Sequence, residues 1–223
     1  MRAEEVVGLV IVGLVVFSIA ASFVAPKLAP AELPEGLREI AESLGWAMEN
    51  FTFTGAAGSR TVEIPVDQAA NLILKVGAGE VSIESSGQGE SVVVNVEGTG
   101  INIQGAVVNV GAGEVRVLLP EGFSFDSLTI DLGMGNLEGV IPLSGAGVAT
   151  VDLGMGNADL ALIPQGEDGT VSVSVQMGGI DVHGVQPVTQ TENEFTGVLG
   201  SGEGFRLTIN VGMGDVLVRV AKP

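Results

Sequence analysis

The chain has 223 residues, 34 of them Gly, with no Cys, no Tyr, one His and one Trp; only 16% are charged, and 27 Asp plus Glu against 9 Lys plus Arg give a net charge of −18. The length suits one domain with a tail, the 46% apolar content argues against disorder, and Gly without a period of three excludes collagen. Without Cys there are no disulfides, zinc–thiolate sites or thiol nucleophiles, and the acidic balance repels phosphate backbones, so nucleic acid is not an expected partner.

From Val6 to Val24 the chain runs nineteen residues without a charge. As a helix at about 1.5 Å per residue that run is long enough to span a bilayer. We expect residues 1–25 to be a single-pass membrane anchor. Small residues at Ala20-Ala21-Ser22 and Ala29-Pro30-Ala31 leave a cleaved signal peptide as an alternative. Met1-Arg2-Ala3 before Glu4-Glu5 loosely resembles the leader of archaeal type IV pilin precursors, which would make the chain a filament subunit. Arg2 and Lys27 on opposite sides leave the positive-inside rule nearly silent. The 199 residues after Val24, with 25 acidic and 8 basic side chains, point to a C-terminal domain outside the cell membrane. Asn50-Phe51-Thr52 is a sequon for N-glycosylation at Asn50, usable only on that side.

Residues 26–50 read as a linker with Pro26, Pro30 and Pro34, followed by a short amphipathic helix. Leu37, Ile40 and Leu44 recur at helical spacing there, opposite Arg38, Glu39 and Glu42.

Residues 51–223 are organised by a repeat. It reads Val76-Gly77-Ala78-Gly79-Glu80, Val110-Gly111-Ala112-Gly113-Glu114, Leu132-Gly133-Met134-Gly135-Asn136, Leu153-Gly154-Met155-Gly156-Asn157 and Val211-Gly212-Met213-Gly214-Asp215, with a degenerate copy at Gln176-Met177-Gly178-Gly179. The central residues are separated by 34, 22, 21, 22 and 36 positions. Gly98-Thr99-Gly100 would be a further copy inside the first long step, and Pro187 to Gly204 a polar insertion in the last. Runs such as Val92-Val94-Val96 and Val171-Val173-Val175 alternate with period two, which is strand periodicity. A fixed period near 21–22 built from strands predicts an all-β fold, a parallel β-solenoid, with the Gly pairs at its corners. Roughly seven coils would then stack in chain order about 4.8 Å apart. Val216-Leu217-Val218-Arg219-Val220 would be an open edge at the C-terminal end, available for self-association.

The position after each Gly pair holds Glu80, Glu114, Asn136, Asn157, Gly179 and Asp215. Stacked carboxylates repel, and Asn in the middle copies allows amide ladders. Glu80, Glu114 and Asp215 are also the only metal candidates, for Ca2+, although the spacing does not match nonapeptide calcium repeats. No Gly pair completes a nucleotide-binding motif, so no cofactor is expected.

At these Gly-pair units the sequence resembles the putative-adhesin family of bacterial and archaeal surface proteins, over about residues 60–221. The resemblance implies a Gly-rich β-helical domain behind a membrane anchor, with no active-site residues to carry over. A weaker similarity runs to bactofilins, small β-helical scaffolds that polymerise. Only His183 could serve a Ser-His-Asp site, and Arg116, Arg206 and Arg219 are scattered, so an enzyme is not expected. The functional expectation is a cell-surface protein with a structural, adhesive or self-assembling role, toward a surface protein, a polysaccharide or itself. An envelope sensor acting through a membrane partner is the alternative.

Overall fold

The computed structural model describes residues 57–87 and 89–221, all within one compact unit, Glu49–Pro223. The expected membrane anchor at 1–25, the linker and helix at 26–50, and Asn50 lie outside the described residues. Among the described residues no helix is long and apolar enough to cross a membrane.

The described chain is all-β apart from one helical turn, and its strands form one sheet with both parallel and antiparallel pairs. In chain order the elements are β1 (Gly58–Pro65), α1 (Val66–Ala69), β2 (Asn71–Ser85), β3 (Ser91–Thr99), β4 (Asn102–Gln104), β5 (Val107–Leu119), β6 (Phe125–Met155), β7 (Ala158–Pro164), β8 (Gly169–Met177), β9 (Ile180–His183), β10 (Gln186–Gln190), β11 (Glu194–Leu199), β12 (Phe205–Met213) and β13 (Val216–Val220).

Each repeat copy is one two-armed row. In β2 the first arm buries Leu72, Leu74 and Val76, the alternation shifts across Gly77–Gly79, where Gly79 takes a positive φ, and the second arm buries Val81 and Ile83. The alternation that buries these side chains also turns Lys75 and Glu84 outward. Rows pair in register, so equivalent residues form columns. Val108, Leu74, Ile130, Val151, Ile209 and Val173 make one apolar column through the interior. At the opposite bend the interior is filled by aromatic rings. Phe123 and Phe125 meet edge to face at 4.9 Å, and Phe205 lies against Gly169, where a Cβ would sit 2.3 Å from the ring. Among the described residues forty apolar side chains are buried, and Ser82 is the only buried polar one.

The order of the rows departs from the expected one. Ala78 pairs with both Ala112 and Met134, and Met213 pairs with both Met155 and Met177. Gly154 packs on Gly133 and Gly156 on Gly135, so the rows run Ala112, Ala78, Met134, Met155, Met213, Met177. Each of the two 22-residue steps therefore skips a row. Connections such as Pro120–Ser124 allow this, because five residues at roughly 3.3 Å each reach farther than two rows at about 4.8 Å.

Two further expectations are corrected, and a third gains detail. Gly98-Thr99-Gly100 does stack on the Ala112 corner, but in reverse: β3 and β4 run antiparallel to the two arms of β5, with Gly98 opposite Gly113. The polar insertion Pro187 to Gly204 is itself built of strands. It contains most of the antiparallel pair β10–β11, which extends the first arm beyond β8. The stack thus has six parallel rows with antiparallel strands at both ends, not roughly seven parallel coils. Finally, Val216–Val220 is no open edge, because β13 lies between β7 and β9 and pairs with both.

The corners are where sequence and packing meet most tightly. The second Gly of each pair has positive φ: +143° at Gly79, +140° at Gly135, +139° at Gly156 and +144° at Gly214. A Cβ at Gly156 would lie 1.6 Å from the Gly135 carbonyl oxygen, and one at Gly214 would lie 1.7 Å from that of Gly156. The first Gly has no such φ and is needed only for space, as at Gly154, whose Cβ would come within 2.4 Å of the Gly133 oxygen. The degenerate copy follows from this difference: Gln176 replaces the first Gly, while Gly178 keeps φ +143°. Gly156→Ala should cost about 3 kcal/mol or more, because backbone is what it strikes and its φ is strained. Gly145→Ala, with nothing within 4 Å, should change stability by less than about 0.5 kcal/mol; urea denaturation of both variants checks the contrast.

Candidate functional site

The side chains that the corners push outward form two neighbouring columns, one of Ala and Met, the other of acids and amides. The second column contains every residue singled out as a metal candidate. Glu80 and Glu114 stand in adjacent rows, and Glu97 of β3 joins them opposite Glu114. Asp215 does not join this group, because the Asn136 and Asn157 rows separate it from Glu80. Among the described residues no three His, Asp or Glu side chains are placed to hold a metal ion. Glu97 escapes sequence reasoning because it precedes a copy of the repeat whose strand runs backwards.

In the remaining rows the column forms a hydrogen-bonded ladder. The backbone N–H of Asn157 donates to Asn136 Oδ1 at 3.3 Å, that of Asp215 to Asn157 Oδ1 at 3.0 Å, and that of Gly179 to Asp215 Oδ1 at 2.8 Å. The expected amide ladder is realised as side chain to backbone. Asp serves as well as Asn, since only an oxygen acceptor is required. Each bond holds a corner N–H that the bend would otherwise leave without a strand partner.

Ion pairs stand on the outer faces. Arg116 lies 3.4 Å from Glu84 and 3.9 Å from Glu114, Arg219 Nη1 donates to Asp159 at 2.7 Å, and His183 Nε2 lies 3.1 Å from Asp181. His183 and Asp181 are both mostly exposed. On the first arm, Asp131 sits between Lys75 and Asp152. Partial burial raises its pKa above the usual carboxylate value, Lys75 opposes the rise, and the Asp152 charge adds to it. Asp168 is held below the usual value by the N–H and hydroxyl of Ser201, which pin the turn before β12. At one end of the stack β1, α1 and β4 enclose an open groove of about 310 Å³, lined by Arg60, Glu63, Gln68, Ile103 and their neighbours.

No protein-family model matches the chain, and a search of curated proteins returns no match. Among solved structures it is similar to the crystal structure of a "putative cell adhesion protein" from Clostridium sporogenes, at 12% identity and a TM-score of 0.44, over 74% of this chain and 100% of that one.

The ladder can be tested by substitution. Asn157→Ala leaves the Asp215 N–H without its acceptor and should lower stability by about 1 kcal/mol. Asp215→Asn keeps the acceptor for Gly179 and should be close to neutral; thermal or urea unfolding of the two variants separates them.

Proposed function

We propose that this chain is a non-enzymatic, membrane-anchored cell-surface protein whose stacked β domain has a structural or adhesive role. The observation that supports it is the stack itself. Six in-register rows stack against an apolar interior and present outward columns of short polar side chains, such as Thr150, Thr208, Ser172 and Thr196 on the first arm. We read the row type, two strands joined through a Gly corner and a return bend, as a β-solenoid with its rows permuted. Its ionisable groups serve to pair across rows or to solvate the faces, and this is the reading we adopt over catalysis.

Within the same reading, a displayed domain is favoured over end-to-end filaments. The edges at the two ends are blunted: β4 has three residues, β9 has four, and β10 carries Pro187 and a register shift before Thr189. β1 is the long edge, and it carries Arg60, Glu63 and Pro65. A partner is then a surface protein or polysaccharide meeting a face of the stack.

Fractionation with surface proteolysis tests the placement. The chain should stay with membranes through an alkaline carbonate wash, and protease added to intact cells should remove the β domain. Recovery in the soluble fraction, or a domain protected until the cells are lysed, would overturn the proposal.

A further inference from the structure

The first corner column holds four of the chain's six Met residues. Met134, Met155, Met213 and Met177 occupy the same corner position in four consecutive rows. They are 52%, 43%, 39% and 62% exposed, so none is a core side chain. The corner itself does not require them, since Ala78 and Ala112 occupy the same position in the other two rows. Four large apolar side chains kept in water, where a methyl group suffices elsewhere, call for a reason other than folding.

Their chemistry is that of a soft donor set. Thioether sulfur is neutral and polarisable and selects Cu(I) over harder divalent ions. Met side chains are unbranched and flexible, so sulfurs rooted roughly 4.8 Å apart along the column can converge on one ion. The harder oxygens beside them are partly committed: Asn136, Asn157 and Asp215 each accept a backbone N–H of the neighbouring row. The chain has no Cys to compete, and its net charge of −18 favours cations near the surface.

We propose that the Met corner column is a binding site for a soft monovalent cation, Cu(I), held by three thioethers from consecutive rows. Two overlapping sets exist, Met134-Met155-Met213 and Met155-Met213-Met177, and both contain the central pair. Without that pair the two outer Met residues stand three row steps apart, roughly 14 Å, too far to share an ion. The site is independent of the proposed surface role.

The test uses the full chain in detergent, titrated with Ag(I) as an air-stable probe and, under anaerobic conditions, with Cu(I) against a chromophoric chelator. Native mass spectrometry should find one ion per chain. The double variant Met155→Leu/Met213→Leu, which keeps the apolar bulk and removes the sulfur, should weaken binding at least tenfold with an unchanged circular dichroism spectrum. Glu97→Gln/Glu114→Gln should bind as the parent does. Failure of the parent chain to retain either ion, equal retention by the Leu variant, or loss in the Gln variant would each overturn the proposal; equal retention would leave the column as an apolar ridge for a protein or lipid contact.

Discussion

The whole described structure depends on one steric relation: the carbonyl oxygen of a corner Gly fills the volume that a Cβ would occupy on the corner Gly of the next row. This contact runs from Gly214 to Gly156 to Gly135 to Gly79 to Gly113. Because each corner is keyed to its neighbour, the arms on both sides are locked in register. Register, in turn, is what assembles the apolar columns, since a slip of one residue would turn Leu74, Ile130 and Ile209 to the outside. The ladder through Asn136, Asn157 and Asp215 uses the same registration to hold the corner N–H groups. Glycine, usually a source of chain entropy, is here the residue that fixes geometry.

Much of this was legible in the sequence. The period-two runs Val92-Val94-Val96 and Val171-Val173-Val175 are buried as their alternation requires, and the second Gly of each pair takes the positive φ that only Gly adopts freely. The order of the rows was not legible. A repeat length measures one pair of arms and a return bend, whereas the next row's landing place depends on which side of the previous row the bend falls. One row is so thin that a five-residue connection reaches either position. The reversed strand β3 was hidden for a related reason: period-two alternation reads the same in both directions along a strand.

The candidate site was legible in part. The position after the Gly pair recurs visibly in the sequence, and in the structure Asn136 and Asn157 at that position accept backbone N–H groups of the neighbouring row. That Glu80 and Glu114 gather with Glu97, while Asp215 stands apart, follows from row order and so could not be read beforehand. The Met residues were visible as the central letters of the repeat. Their exposure was not, because a large apolar residue between two strands reads as core until the corner geometry turns it outward.

The chain's lack of Cys makes the central claim directly testable by paired substitution. In the permuted stack Met155 and Met213 are neighbours, whereas Met155 and Met177 are two rows apart. A disulfide needs Cα atoms within about 7 Å, which adjacent rows satisfy and alternate rows at roughly 9.6 Å do not. Oxidation of the Met155→Cys/Met213→Cys chain should therefore give an intrachain crosslink, seen as a gel shift reversed by reductant, and the Met155→Cys/Met177→Cys chain should stay reduced. The opposite pattern would mean that the rows stack in chain order and would contradict the account.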